Sequence, residues 1–110
     1  MNEMALSVSL RRAGYCIAVA SLLATIPTLA ADATRGGQLA LRWCAACHVV
    51  RSDQKSAVIE APPFETIARR PDFDAAKVAL FLQNPHPKMP DMGLSRDATA
   101  DIAAYIATLK

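Results

Sequence analysis

Residues 42–50 read RWCAACHVV: Cys44 and Cys47 stand three apart, and His48 follows directly. That spacing serves three different chemistries: a disulfide exchanger, half of a zinc site, or an anchor for haem. Each requires different surroundings, so the remainder of the 110-residue chain has to discriminate between them.

The chain is long enough for one small domain, and its first thirty residues have the pattern of a secretory signal peptide. Arg11 and Arg12 give a positive start, residues 13–26 are apolar and mostly small, and Pro27 breaks the run. Thr28 and Ala30 occupy the two small-residue positions before a cut that would leave Ala31 as the first mature residue. The competing reading is an uncleaved anchor, but the run is shorter than the ~20 residues of a spanning helix and only weakly hydrophobic. The expected division is therefore a signal at 1–30 and one domain at 31–110. Cys16 leaves with the signal, so the exported domain keeps Cys44 and Cys47 in an oxidising setting. Without Arg11, Arg12 and Glu3 the net charge drops from +2 to near +1. That balance excludes the clustered basic surface of a nucleic-acid binder.

No segment alternates like a strand, and the pattern is helical with proline-rich loops. A first helix starts at Asp32 or Thr34 and runs into the cysteine motif, with Leu39 and Trp43 on one face. Gly36 and Gly37 inside it indicate either close approach by another backbone or a frayed first turn. APPFETIARRP (61–71) reads as a turn and a short helix ending at Pro71. DFDAAKVALFLQNP (72–85) gives a helix capped by Asp72 or Asp74, with Val78, Phe81 and Leu82 on one face. NPHPKMPDMG (84–93), with its prolines, is loop. Ser95 caps a last helix whose Ala98, Ile102, Tyr105, Ile106 and Leu109 form an apolar stripe, although Ala98 stands where a capping-box Glu would reinforce the start. The fold class is all-α.

That context separates the three chemistries. A structural zinc site needs four ligands, and Cys44, Cys47 and His48 have only His86 to add, with His48 too close to Cys47 for both to reach one tetrahedral ion comfortably. A thioredoxin-like motif sits at a strand-to-helix junction, which an all-α chain does not supply. Cys-x-x-Cys-His is the attachment signature of c-type haem. Cysteines three apart at a helix end project from nearly the same face, and the next residue brings an imidazole to the iron. About 80 mature residues with few aromatics make a thin core that needs a staple, and a large apolar macrocycle provides one. Three residues then compete for the sixth iron position: His86, Met89 and Met92. Met89 lies in KMP, between Pro87 and Pro90, where a stiffened loop presents a weak thioether ligand at little ordering cost.

On GGQLALRWCAACH (36–48), APPF (61–64), NPHPKMPDMGLS (84–95) and DIAAYIATL (101–109), the chain resembles the small bacterial class I c-type cytochromes over essentially all of residues 31–110. The resemblance implies three to four helices around one covalently attached haem, with the N- and C-terminal helices crossing closely where a glycine meets an aromatic. That pairs Gly36 with Tyr105. It implies Met89 as the sixth ligand opposite His48. It further implies that a proline carbonyl accepts the other ring N–H of His48, with Pro62 as the match and Pro63 as the alternative. The resemblance makes the protein a periplasmic one-electron carrier rather than an enzyme, docking transiently with redox donor and acceptor proteins around an exposed haem edge. Arg51, Lys55 and Lys88 are candidates to ring that edge. Contact with a membrane is expected only if the signal is retained. A second reading is a dedicated haem subunit of a periplasmic dehydrogenase, marked by an apolar patch to which Met92, Leu94, Ala45 and Ala46 would contribute. A third, a haem sensor or peroxidase, requires that Met89 not hold the iron.

Overall fold

A computed structural model describes residues 29–55, 57, 61–84 and 88–110, so most of the expected signal, and His86 with Pro85 and Pro87, lie outside the described residues. The described residues form four helices: α1 (Ala33–Trp43), α2 (Phe64–Ala68), α3 (Ala75–Gln83) and α4 (Arg96–Ala107). No strand occurs among the described residues.

The starts of the helices follow from their capping residues. Asp32 accepts the backbone N–H groups of Thr34 and Arg35 at 2.8 and 3.0 Å, satisfying donors that the first turn of α1 cannot pair internally. Asp74, not Asp72, does the same for Ala76 and Lys77 at the head of α3. Ser95 Oγ accepts from Ala98 N at 3.1 Å at the head of α4. Ala98 returns no side-chain bond, so the capping box stays half made. α2 stops at Ala68, ahead of Pro71, because Arg70 precedes the proline and is pushed out of the helical region.

α4 is the hub. It packs on α1, on α3 and on α2, while these three make no helix–helix contact with one another. Ile102 and Ile106 of its stripe are buried with Ala40, Cys44, Val50, Phe64, Ala68 and Leu82. Leu39 packs against this core, but Trp43 does not join it and is 41% exposed, with the Arg42 guanidinium 5.0 Å from its ring centroid.

Both glycines of α1 are explained by the crossing, and the pairing differs from the expected one. A Cβ on Gly36 would lie 1.9 Å from the backbone oxygen of Asp101, so Gly36 meets the main chain of α4 and not an aromatic. Gly37 is the residue against Tyr105, whose ring would lie 3.1 Å from an added Cβ. Neither glycine frays the helix, since both lie within α1 and Gly36 is buried.

A buried carboxylate fastens the same crossing. Asp101, 1% exposed, accepts from the Asp32 backbone N–H at 2.7 Å and forms an ion pair with Arg35 Nε. Burial on its own would raise the Asp101 pKa, but the hydrogen bonds from Arg35 and Asp32, with the Arg35 charge, outweigh it and hold the carboxyl below its ordinary value.

Two predictions concern this crossing. Gly36→Ala should destabilise the protein by about 3 kcal/mol or more, because backbone rather than a yielding side chain opposes the methyl group, whereas Gly37→Ala should cost less as the Tyr105 ring shifts; urea unfolding of both variants gives the comparison. A carboxyl with a depressed native pKa contributes stability above its unfolded pKa that is lost as pH falls through the folded value. Stability should thus decline as pH drops below about 4, and Asp101→Asn should be less stable at neutral pH but lose less on acidification.

Candidate functional site

The Cys44–His48 segment is the continuation of α1 beyond its last turn. Cys44 N–H bonds Ala40 O at 2.8 Å, and the turn then closes on itself as Cys47 and His48 N–H both donate to Cys44 O, at 3.1 and 2.8 Å. Such a turn keeps the two sulfurs and the imidazole together at one end of α1. Cys44 points into the core and Cys47 is exposed; both are free thiols. Burial, with Cys47 beside it, pushes the Cys44 thiol up to about 11. A disulfide exchanger needs its attacking thiol shifted the other way.

His48 is oriented from two sides. Its Nδ1 lies 2.7 Å from the carbonyl oxygen of Pro62, which is an acceptor only, so Nδ1 carries the proton and Nε2 is left as the ring's basic nitrogen. Pro62 and not Pro63 supplies that carbonyl. Phe64, the first residue of α2, tilts its buried ring against the imidazole with centroids 5.3 Å apart. Two backbone-directed bonds register this assembly: Phe64 N–H to Val49 O at 2.9 Å, and Tyr105 O–H to Val50 O at 2.7 Å.

Two cavities flank His48. The larger, about 570 Å³, lies between α2 and α3 over Ile106 of α4 and is lined by Phe64, Ile67, Phe73, Val78, Phe81 and Leu82. The smaller, about 190 Å³, is lined by Trp43, Cys44, Cys47, Pro90 and Met92. His48, Pro62 and Met89 belong to both. The space is therefore a mostly apolar slot with an imidazole nitrogen and a thioether on its lining and two thiols at one end. Arg70 and Lys77 line the larger cavity, away from the thiols, together with Asp72 and Asp74. No group of three or more His, Cys, Asp and Glu side chains converges to hold a metal ion among the described residues. A slot with one nitrogen and one sulfur donor suits an iron whose remaining ligands come from a macrocycle.

The chain is 50% identical over 97 residues to cytochrome c-552 of Bradyrhizobium diazoefficiens, an alignment covering 88% of this chain and 93% of that one. The chain belongs to the small bacterial c-type cytochromes. No family model matches it, and no solved structure matches it. Membership makes the protein an electron carrier with covalently bound haem c. The cavity, the free thiols and the donor set of the cytochrome fit that group.

The surroundings of the cavities were only partly legible in the sequence. Of Arg51, Lys55 and Lys88, only Lys88 lines either cavity; Arg51 pairs with Asp53 at 2.9 Å and faces a separate polar groove. The cations lining the larger cavity are Arg70 and Lys77, which carry no signal in a one-dimensional charge pattern. Ala45 and Leu94, named as contributors to an apolar patch, pack on the core instead. Gln54 was hidden in a polar loop.

Phe64→Ala should cost the cytochrome about 3–5 kcal/mol, the range for truncating a buried aromatic, and should leave the His48 ring less ordered. Denaturant unfolding and the line widths of the His48 ring protons check both parts.

Proposed function

We propose that Cys44 and Cys47 hold the haem through two thioether bonds, that His48 and Met89 are its axial ligands, and that the domain 31–110 is a diffusing electron carrier of the periplasm. The observation that carries this reading is the 2.7 Å contact of His48 Nδ1 with Pro62 O, which leaves Nε2 as the basic nitrogen of a ring that lines both cavities together with Met89. When bound, the haem supplies a one-electron couple; the protein's residues set its potential and its access.

Each residue has a distinct part. Pro62 O fixes the tautomer of His48 and raises its basicity as a ligand. Met89 is half-buried and packs against the core from the loop between α3 and α4, directly before Pro90. A His/Met pair closes both axial positions to small molecules and raises the potential. Met92 shares only the smaller cavity with His48, whereas Met89 shares both, which favours Met89 for the second position. Arg70 and Lys77 offer cations to the carboxylates of the macrocycle. The exposure of Cys47 beside the part-exposed Trp43 suits an edge that reaches the surface for brief contact with redox donors and acceptors. Encounters of that kind use small interfaces. Export to the periplasm rests on the signal pattern of residues 1–30; no helix among the described residues is long and apolar enough to cross a membrane.

The test is the visible spectrum of the protein matured in a host that attaches haem c. A c-type reduced spectrum with a weak far-red sulfur-to-ferric-iron band is expected. Met89→Ala should abolish that band, lower the midpoint potential and let the ferrous protein bind carbon monoxide, while Met92→Ala should leave all three as they were. The reverse pattern would make Met92 the ligand. Carbon monoxide binding by the unaltered protein would favour sensing or peroxide chemistry. Gel filtration of native periplasm distinguishes a free carrier from a dehydrogenase subunit by apparent size.

A further inference from the structure

The stretch between the attachment motif and α2 contains a side chain that the proposed ligand set does not use. Gln54 Nε2 donates to Ala45 O at 2.9 Å and to His48 O at 2.8 Å, while its Oε1 accepts from Val50 N–H at 3.0 Å. Its own backbone N–H bonds Arg51 O at 3.2 Å, closing the turn that brings it back to the motif. One half-buried amide therefore ties down both ends of the segment that contains Cys47 and His48.

Those carbonyls need a partner. They follow the end of α1, where carbonyls lack the N–H groups of a further helical turn. Val50 is itself buried, so its N–H has no ready access to water. A primary amide meets both demands because it has two N–H donors and one carbonyl acceptor on a single planar group. A carboxylate of the same size offers no donor and would set negative oxygens against two carbonyl oxygens. A thioether or alkyl chain of the same length fills the space and satisfies none of the three groups.

We infer that Gln54 is a positioning residue for His48: it holds the His48 backbone in place, while Pro62 holds the ring. The two restraints are independent in sequence, and each is incomplete alone. The Pro62 bond stops the imidazole rotating but does not stop the His48 main chain lifting away from α1. Gln54 reinforces the His48 N–H bond to Cys44 O against that lift by bonding the His48 carbonyl and the neighbouring Val50 N–H. This inference rests on His48 being the iron ligand.

The experiment uses the haem-loaded protein with Gln54→Met and Gln54→Glu, both close in size to glutamine. Hydrogen exchange of the His48 Nδ1–H in the reduced protein reports opening of the proximal side, and the amides of Ile102 and Ile106 in α4 report global opening. Haem should remain attached in both variants, because its covalent bonds do not depend on Gln54. Exchange at His48 should accelerate by about tenfold or more relative to the α4 amides, equivalent to ~1.4 kcal/mol per tenfold, with Gln54→Glu the faster of the two. Equal acceleration at His48 and in α4 would reduce Gln54 to ordinary stabilisation and overturn the inference. So would unchanged exchange at His48, or loss of haem attachment in both variants. An unaltered protein that carries haem without an exchange-protected ring N–H would instead count against the His48–Pro62 arrangement itself, separating failure of the ligand reading from failure of this one.

Discussion

The backbone of α1 rests directly on the backbone of α4 at Gly36, with no side chain between them. Everything else in the domain takes its position from that contact. Because the helices are this close, the Asp101 carboxylate can reach both Arg35 and the Asp32 N–H. The same approach sets Tyr105 against Gly37 and lets its hydroxyl reach Val50 O beyond the attachment motif. Both flanks of the Cys44–His48 turn are thus tied to α4, one through α1 and the other through Tyr105. A wider crossing would move the motif relative to Ile106, and with it the floor of the slot.

The arrangement around α4 also explains why there is a slot. α1, α2 and α3 each pack on the hub and not on each other, so the interior that three mutually packed helices would fill is left to the cofactor. The protein core proper is small, and several of its members are alanines or a cysteine. In a domain of this size such a core is marginal, and burying a large apolar group supplies what the side chains do not. Bound haem would thus complete the core as well as carry the electron. The lining follows: mostly apolar from α2, α3 and Ile106 of α4, with the imidazole and the thioether on it and the charged side chains of Arg70, Asp72, Asp74 and Lys77 beside them.

Much of the local structure was legible because it depends on neighbours in sequence. Asp32, Asp74 and Ser95 cap the helices they precede, and the Ile102 and Ile106 stripe is the buried face of α4, since helix starts and faces are set within a turn or two. The cysteine–histidine turn was legible for the same reason, as the spacing of its residues sets its local geometry. Trp43 shows the limit. It lies one turn from Leu39, yet α1 ends there, and its ring stays outside the buried core and lines the smaller cavity instead.

By itself the sequence determined the fold class, the cysteine–histidine motif, the proline-stiffened methionine loop and the need for a large apolar cofactor. These follow from residue chemistry and from short-range spacing. Only the tertiary structure decided which glycine meets backbone and which meets Tyr105, because adjacent helix positions point about 100° apart and the crossing angle selects between them. It alone gave Asp101 its partners, chose Pro62 over Pro63 beneath His48, put Arg70 and Lys77 at the cavity in place of Arg51, and brought Gln54 back onto the motif. Each of these joins residues whose meeting depends on how the chain folds back, a distance that no local pattern of residue types encodes.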